Sequence, residues 1–178
     1  MLTFFSLYDK SGLFFLAFLT AIIHECGHII SAVILGLSIK SIYFLPYGIK
    51  MNLNIPLSLV SRMKKIILFA SGSVTNILCF VLICFISKNE NVAAGIHLAT
   101  AFFNLLPIGT LDGGRILKEI IAFENDELGD KICDVLSLML SIILFIVGTM
   151  VLLKTKYNIS LIVTSLYLAF TVIIRQKC

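Results

Sequence analysis

Residues 12–37 read GLFFLAFLTAIIHECGHIISAVILGL, a nearly uninterrupted apolar run around the pentapeptide His24-Glu25-Cys26-Gly27-His28. A run of this length can cross a bilayer as a helix. Ionisable side chains at membrane depth are costly and usually line a polar site. The HExxH spacing offers a reason for them. Residues four apart share a helix face, so both imidazoles can point at one metal ion, and Glu25 can act on a water that the ion activates. The competing reading is two buried histidines hydrogen-bonded to their neighbours, which the membrane setting disfavours.

Composition agrees with a membrane chain. Its 178 residues are 59% hydrophobic and 13% charged, with a mean hydropathy of +1.05. That balance predicts an all-α polytopic membrane protein, a single integral-membrane domain over 1–178 with no room for a separate soluble domain. In the lipid bilayer each backbone polar group must be bonded internally, which favours a helix bundle. The net charge of +4 is modest and reflects topology rather than a nucleic-acid partner. Five cysteines form no CxxC pair, so the apolar ones read as small buried hydrophobes. The first residues lack a basic region and a small-residue cleavage site, so no cleaved signal peptide is expected.

Along the chain, residues 1–11 form a short lead-in and 12–37 the first span. IKSIYFLPYGIKMNLN alternates, is rich in β-formers and carries the turn signal Pro46-Tyr47-Gly48, predicting a short membrane-associated β-hairpin of 39–45 and 49–54. A second span is expected at 66–86. A polar break, Ser87–Asn91, leads to a third apolar stretch, 92–106. That stretch runs into Asn104-Leu105-Leu106-Pro107-Ile108-Gly109-Thr110-Leu111-Asp112-Gly113-Gly114, where proline and glycines oppose continuous helix. Helical periodicity resumes at 114–123. We therefore expect a broken helix whose irregular middle lines a protein cavity. ENDELGDK, 124–131, reads as a solvated loop, and spans at 132–153 and 157–174 follow with a tight turn at Lys154–Lys156 between them. The total is about five transmembrane segments, the broken helix included.

Of the 14 Lys and Arg, five lie in 38–65, three follow the broken helix and two end the chain; Lys10, Lys88, Lys154 and Lys156 fall on the other side. This bias predicts a cytoplasmic hairpin and C-terminus, with the N-terminus outside. His28 is expected roughly 15 Å below the cytoplasmic surface, near mid-bilayer, so the site would be reached from that side.

A catalytic zinc usually takes three protein ligands and leaves one position for water. His97, at the outer start of the third stretch, is one candidate, but it reads better as a satisfied interfacial histidine. Asp112 is the stronger one. A carboxylate at membrane depth is hard to explain without a cation, and Gly113 and Gly114 permit the tight backbone that would aim it. Asp112 can also serve as N-cap of the helix that follows, and the two roles are partly compatible.

HECGH in a transmembrane helix, with a later N-x-x-P-x-x-x-x-D-G motif at a broken helix, resembles the site-2 protease family of intramembrane zinc metalloproteases. FLPYG after the first motif, and NLLPIGTLDGGRIL at the later one, are most similar to the branch of stage IV sporulation protein FB. The resemblance implies His24, His28 and Asp112 as ligands of Zn2+, and Glu25 as general base and acid. It implies that Asn104 positions substrate or stabilises the developing oxyanion, with Pro107 and Gly113 of the same motif on the substrate side. Ala70-Ser71-Gly72-Ser73 through Asn76 stands where the family usually reads Gly-Pro and ends in Asn; helix packing by Gly72 is the simpler reading there. That branch usually carries another helix before the histidine motif, where eleven residues precede the span in this sequence. It also has a second proline where this chain has Thr110.

The implied reaction is hydrolysis of a peptide bond in or near the transmembrane segment of a membrane-associated protein substrate. A helical substrate hides its scissile bond, so it must be held extended, and the hairpin could offer a strand edge for that. An interfacial loop without substrate contact is the alternative for this hairpin. Relatives in the sporulation branch process a membrane-associated sigma-factor precursor and are held by inhibitory membrane partner proteins. A zinc-binding membrane scaffold or sensor without proteolytic activity competes with the protease, although such a site does not require Glu25. A small metal transporter would spread polar residues over several spans.

Overall fold

The first apolar run folds as helix α1, Leu13–Ile34, and stops three residues before the run does. Gly36 is the reason. Its φ of 69 is left-handed, and it follows the C-cap Leu35. Gly36 N–H donates to the Val33 carbonyl at 3.0 Å and Leu37 N–H to the Ala32 carbonyl at 2.9 Å. This pair of bonds is a Schellman motif, and the Leu37 and Ala32 side chains that accompany it are buried in one cluster. His28 is therefore six residues from the helix end, about 9 Å along the axis. No atom lies within 4 Å of a Cβ placed on Gly36, so Gly36→Ala tests the backbone alone. We expect it to cost about 1–2 kcal/mol, read by detergent-driven unfolding.

The computed structural model describes residues 12–45, 48–87, 91–121, 126–155 and 163–170. The chain divides into two compact units, Met1–Asn104 and Leu105–Cys178. The lead-in over 1–11 and the turn residues Pro46 and Tyr47 lie outside the described residues.

In the first unit, strands β1 (Ile39–Leu45) and β2 (Gly48–Leu53) pair antiparallel, with Ile42 opposite Met51. The hairpin expected from the alternating pattern is present, with its second strand one residue earlier. Its base packs on a small apolar cluster of Ala32, Leu37, Val60 and Leu68, flanked by Ile39, Met51 and Leu53. A single 3-10 turn, Leu57–Leu59, leads to α2 (Arg62–Ile86), four residues longer at its start than expected. Helix α3 (Val92–Asn104) starts where the Asn91 side-chain oxygen accepts the Ala93 N–H at 2.9 Å. Helices α1, α2 and α3 pack against one another.

In the second unit, α4 (Asp112–Ile121) begins at Asp112 rather than at 114. Seven residues of irregular chain, 105–111, precede it. Helix α5 runs Asp126–Thr155, so much of the expected solvated loop 124–131 is helix instead. Acidic residues suit a helix N-terminus, and Lys118 on α4 pairs with Asp130 at 2.6 Å. Residues 163–170 are helical, within the expected last span.

Among the described residues, three helices are long and apolar enough to cross a membrane: Phe15–Ile34, Arg62–Ile86 and Gly129–Lys154. Helix α3 is a shorter apolar helix, and the expected last span is described only over 163–170, so the described residues bear out three of the expected five spans. Their surfaces are inverted relative to a soluble bundle. Phe15, Ile34, Met63, Phe85, Ile143 and Met150 are exposed, whereas Thr20, His24, Ser31, Ser73, Asn76 and Ser137 are buried. Lipid is as apolar as leucine, so burial of small and polar groups drives packing here, not the hydrophobic effect.

Candidate metal centre

Helices α1 and α2 come close because glycine stands on both sides of their contact. A Cβ on Gly27 would stand 2.9 Å from the Ser71 carbonyl oxygen and collide with the Thr75 side chain. A Cβ on Gly72 would stand 2.5 Å from His28 Nε2 and 2.6 Å from His24 Nε2. The packing role expected of Gly72 is thus observed, and what it admits is the pair of imidazoles.

One turn apart on α1, His24 and His28 place their Nε2 atoms 3.2 Å from each other, with the rings edge to face. Two nitrogens bound at about 2.0–2.1 Å to one tetrahedral zinc stand roughly 3.3–3.4 Å apart. The pair therefore fits a shared ion. His28 Nδ1 donates to the Leu68 carbonyl at 2.8 Å. A carbonyl only accepts, so the hydrogen sits on Nδ1 and the Nε2 lone pair faces inward, as a ligand requires. Ser71 Oγ donates to the same carbonyl at 2.6 Å and lies 3.3 Å from His28 Nδ1.

His24 is held differently. Its Nδ1 lies 3.3 Å from the side-chain nitrogen of Asn76, whose oxygen lies 3.1 Å from His97 Nδ1. All three residues are buried. His97 is therefore not the interfacial histidine that its sequence position suggests. It is on the inner face of α3 with Ala94 and Ala101, bonded to Asn76. Asn76 was visible in the sequence only as the end of a motif. An amide inside an apolar helix, four residues beyond Gly72, is the signal that could have singled it out.

Glu25 follows His24 on α1, about 100° further round the helix, and is half-buried. Asn104 closes α3, half-buried, its side-chain N–H donating to the Thr100 carbonyl at 3.0 Å.

In the second unit, Asp112 opens α4 and is buried together with Gly113 and Gly114. Its carboxylate complements the positive end of the helix. Arg115 lies 3.9 Å away with a largely exposed side chain, a weak partner. Cβ atoms on Gly113 and Gly114 would collide with the carbonyls of Leu105 and Ile108, so the 105–111 segment wraps directly over the helix start. Pro107 is half-buried in that segment. Gly109 N–H donates to Ser137 Oγ of α5 at 2.7 Å, and Ser137 in turn donates to the Cys133 carbonyl. The Thr110 hydroxyl is buried without a hydrogen-bond partner among the described residues.

Residues 86–148 match the model of Peptidase family M50. That stretch contains Asn104, Pro107, Asp112 and Gly113 but not the HExxH helix. The zinc metalloprotease MJ0392 of Methanocaldococcus jannaschii is 26% identical over 170 residues, covering 89% of this chain and 47% of that protein. The chain thus spans about half the length of this curated relative. Among solved structures, the site-2 protease from Methanocaldococcus jannaschii superposes with a TM-score of 0.70 at 24% identity, covering 96% of this chain and 82% of that one. These matches support Peptidase family M50, the site-2 protease family. With three membrane-length helices, they also support an integral membrane protein. None of them bears on the sporulation branch.

Proposed function

We propose that the chain is an intramembrane zinc metalloprotease, hydrolysing a peptide bond in or beside the membrane segment of a membrane-associated protein. The observation that carries this reading is the pair of Nε2 atoms 3.2 Å apart on the helix that also bears Glu25. Asp112 is the proposed third ligand. His24 and His28 each offer a ring nitrogen and Asp112 a carboxylate oxygen, a donor set that leaves a fourth position for water. Zinc held by it would supply Lewis acidity and lower the pKa of water.

The chain's own residues do the rest. Glu25 accepts the proton of the attacking water and returns it to the leaving amine. Asn104 has an amide donor for the developing oxyanion. Pro107 and Gly113 shape the segment on the substrate side, Gly113 by letting the Leu105 carbonyl approach the start of α4. The β1–β2 hairpin has two strands, so among the described residues each keeps an outer edge on which an extended substrate could pair. Ile42→Pro in β1 is expected to cut cleavage about tenfold or more while zinc stays bound. Unchanged cleavage would exclude the strand edge.

A regulatory or sigma-factor precursor as substrate, inhibitory membrane partners, and a cytoplasmic approach to the site belong to the same proposal, supported by the resemblance and the Lys/Arg bias. The test is co-expression with single-span and membrane-tethered candidate substrates. We expect cleavage by the wild-type chain and none by Glu25→Gln. A cellular effect that persists in Glu25→Gln, with zinc bound, would favour the scaffold instead.

A further inference from the structure

Asn76 joins two histidines through the opposite ends of one amide. The spacings are nearly equal, 3.3 Å to His24 Nδ1 and 3.1 Å to His97 Nδ1. An amide donates from one end and accepts at the other, so two neutral imidazoles bonded to it must be in opposite tautomers. The three groups thus form a chain with a direction. In the first direction, His97 donates to Asn76, and Asn76 donates to His24 Nδ1. The His24 hydrogen is then on Nε2, shared with His28 Nε2 at 3.2 Å. In the second, the amide is turned by half a rotation, so His24 donates from Nδ1 to Asn76, and Asn76 donates to His97 Nδ1. His97 then keeps its hydrogen on Nε2.

His28 does not take part in this choice, because its Nδ1 hydrogen is committed to the Leu68 carbonyl. Only the second direction leaves lone pairs on both facing Nε2 atoms. Without a cation between them two lone pairs at this distance repel, and with one they coordinate it. We propose that Asn76 and His97 are positioning residues of the metal centre, and that a divalent cation bound by His24 and His28 reverses this hydrogen-bond chain. The His24 hydrogen passes from Nε2 to Nδ1 and that of His97 from Nδ1 to Nε2, each exchanged through water, with no net proton gained or lost. The hydrogen-bond partner of a ligating imidazole fixes its tautomer and basicity, which is the leverage Asn76 has on the ion. This inference rests on the zinc-site reading above.

The test is made on the full chain in detergent micelles, with histidine ring nitrogens labelled. Long-range nitrogen–proton spectra are recorded with a chelator and then with zinc. We expect His24 and His97 to exchange tautomers on zinc addition, and His28 to carry its hydrogen on Nδ1 throughout. A His97 tautomer unchanged by zinc overturns the proposal. Competition against a chromophoric chelator supplies a further readout. Asn76→Leu should weaken zinc binding about 10–100-fold. Asn76→Asp, which can only accept, should bind at least as tightly as wild type. His97→Phe should weaken binding less than Asn76→Leu and add nothing to it in the double variant. Wild-type affinity in Asn76→Leu also overturns the proposal. A wild-type chain that binds no zinc overturns the metal-site reading itself, whereas normal zinc binding with unchanged tautomers overturns this inference alone. Should Asn76→Leu fail to fold, the wild-type spectra decide.

Discussion

Glu25→Gln is expected to abolish peptide-bond cleavage, by about a hundredfold to ten-thousandfold, the usual contribution of a positioned general base. Zinc should remain bound at the wild-type stoichiometry. On the proposed reading His24 and His28 would offer their Nε2 atoms to an ion from one face of α1, and Glu25 stands on the flank of that face. Glutamine keeps the size of the side chain and its place on the helix but cannot take a proton from water. A loss of zinc along with activity would mean that Glu25 holds the metal. Retention of both would remove it from the chemistry.

Gly72→Ala is expected to have the next largest effect, although it changes only one methyl group. The added Cβ would stand 2.5 Å from His28 Nε2 and 2.6 Å from His24 Nε2. Neither ring is free to retreat cheaply. His28 is tied to the Leu68 carbonyl at 2.8 Å, and His24 lies against Asn76 at 3.3 Å. Restoring ordinary contact moves both ligand atoms by more than the half-ångström tolerance of a metal site, so zinc affinity should fall about a hundredfold or more. Gly95→Ala is the control. It lies on α3 with nothing within 4 Å of the added Cβ, and alanine favours helix, so zinc binding should not change. Competition with a chelator of known affinity measures both.

The parts of the fold that the sequence announces are those set by local pattern. HECGH within an apolar run specifies α1 and its paired histidines. The alternation around Pro46-Tyr47-Gly48 specifies the hairpin within a residue. The proline and glycines from Pro107 to Gly114 separate α3 from α4. Among the helix ends that local pattern misread are the close of α1 and the start of α5. The sequence Leu35-Gly36-Leu37 continues the apolar run, yet a left-handed Gly36 closes the helix by backbone hydrogen bonds. ENDELGDK looks solvated, but its acidic residues suit the start of α5, where Lys118 reaches Asp130.

The histidine pair was legible for the same local reason: four residues make about one helical turn. The surroundings of the pair were not. Leu68 contributes only a backbone carbonyl, which any residue could supply. Asn76 and His97 come from two other helices, and nothing in their spacing reveals that one amide spans from His97 to His24. Such contacts depend on the close approach that Gly27 and Gly72 allow, a property of packing rather than of pattern.

The most direct test of the central claim is the zinc content of the purified full chain, measured by elemental analysis for wild type and for His24→Ala and His28→Ala. The prediction is one zinc per wild-type chain and loss of that zinc in both variants, with the variants still folded by circular dichroism. A wild-type chain that holds no zinc, or folded variants that keep it, would contradict the account.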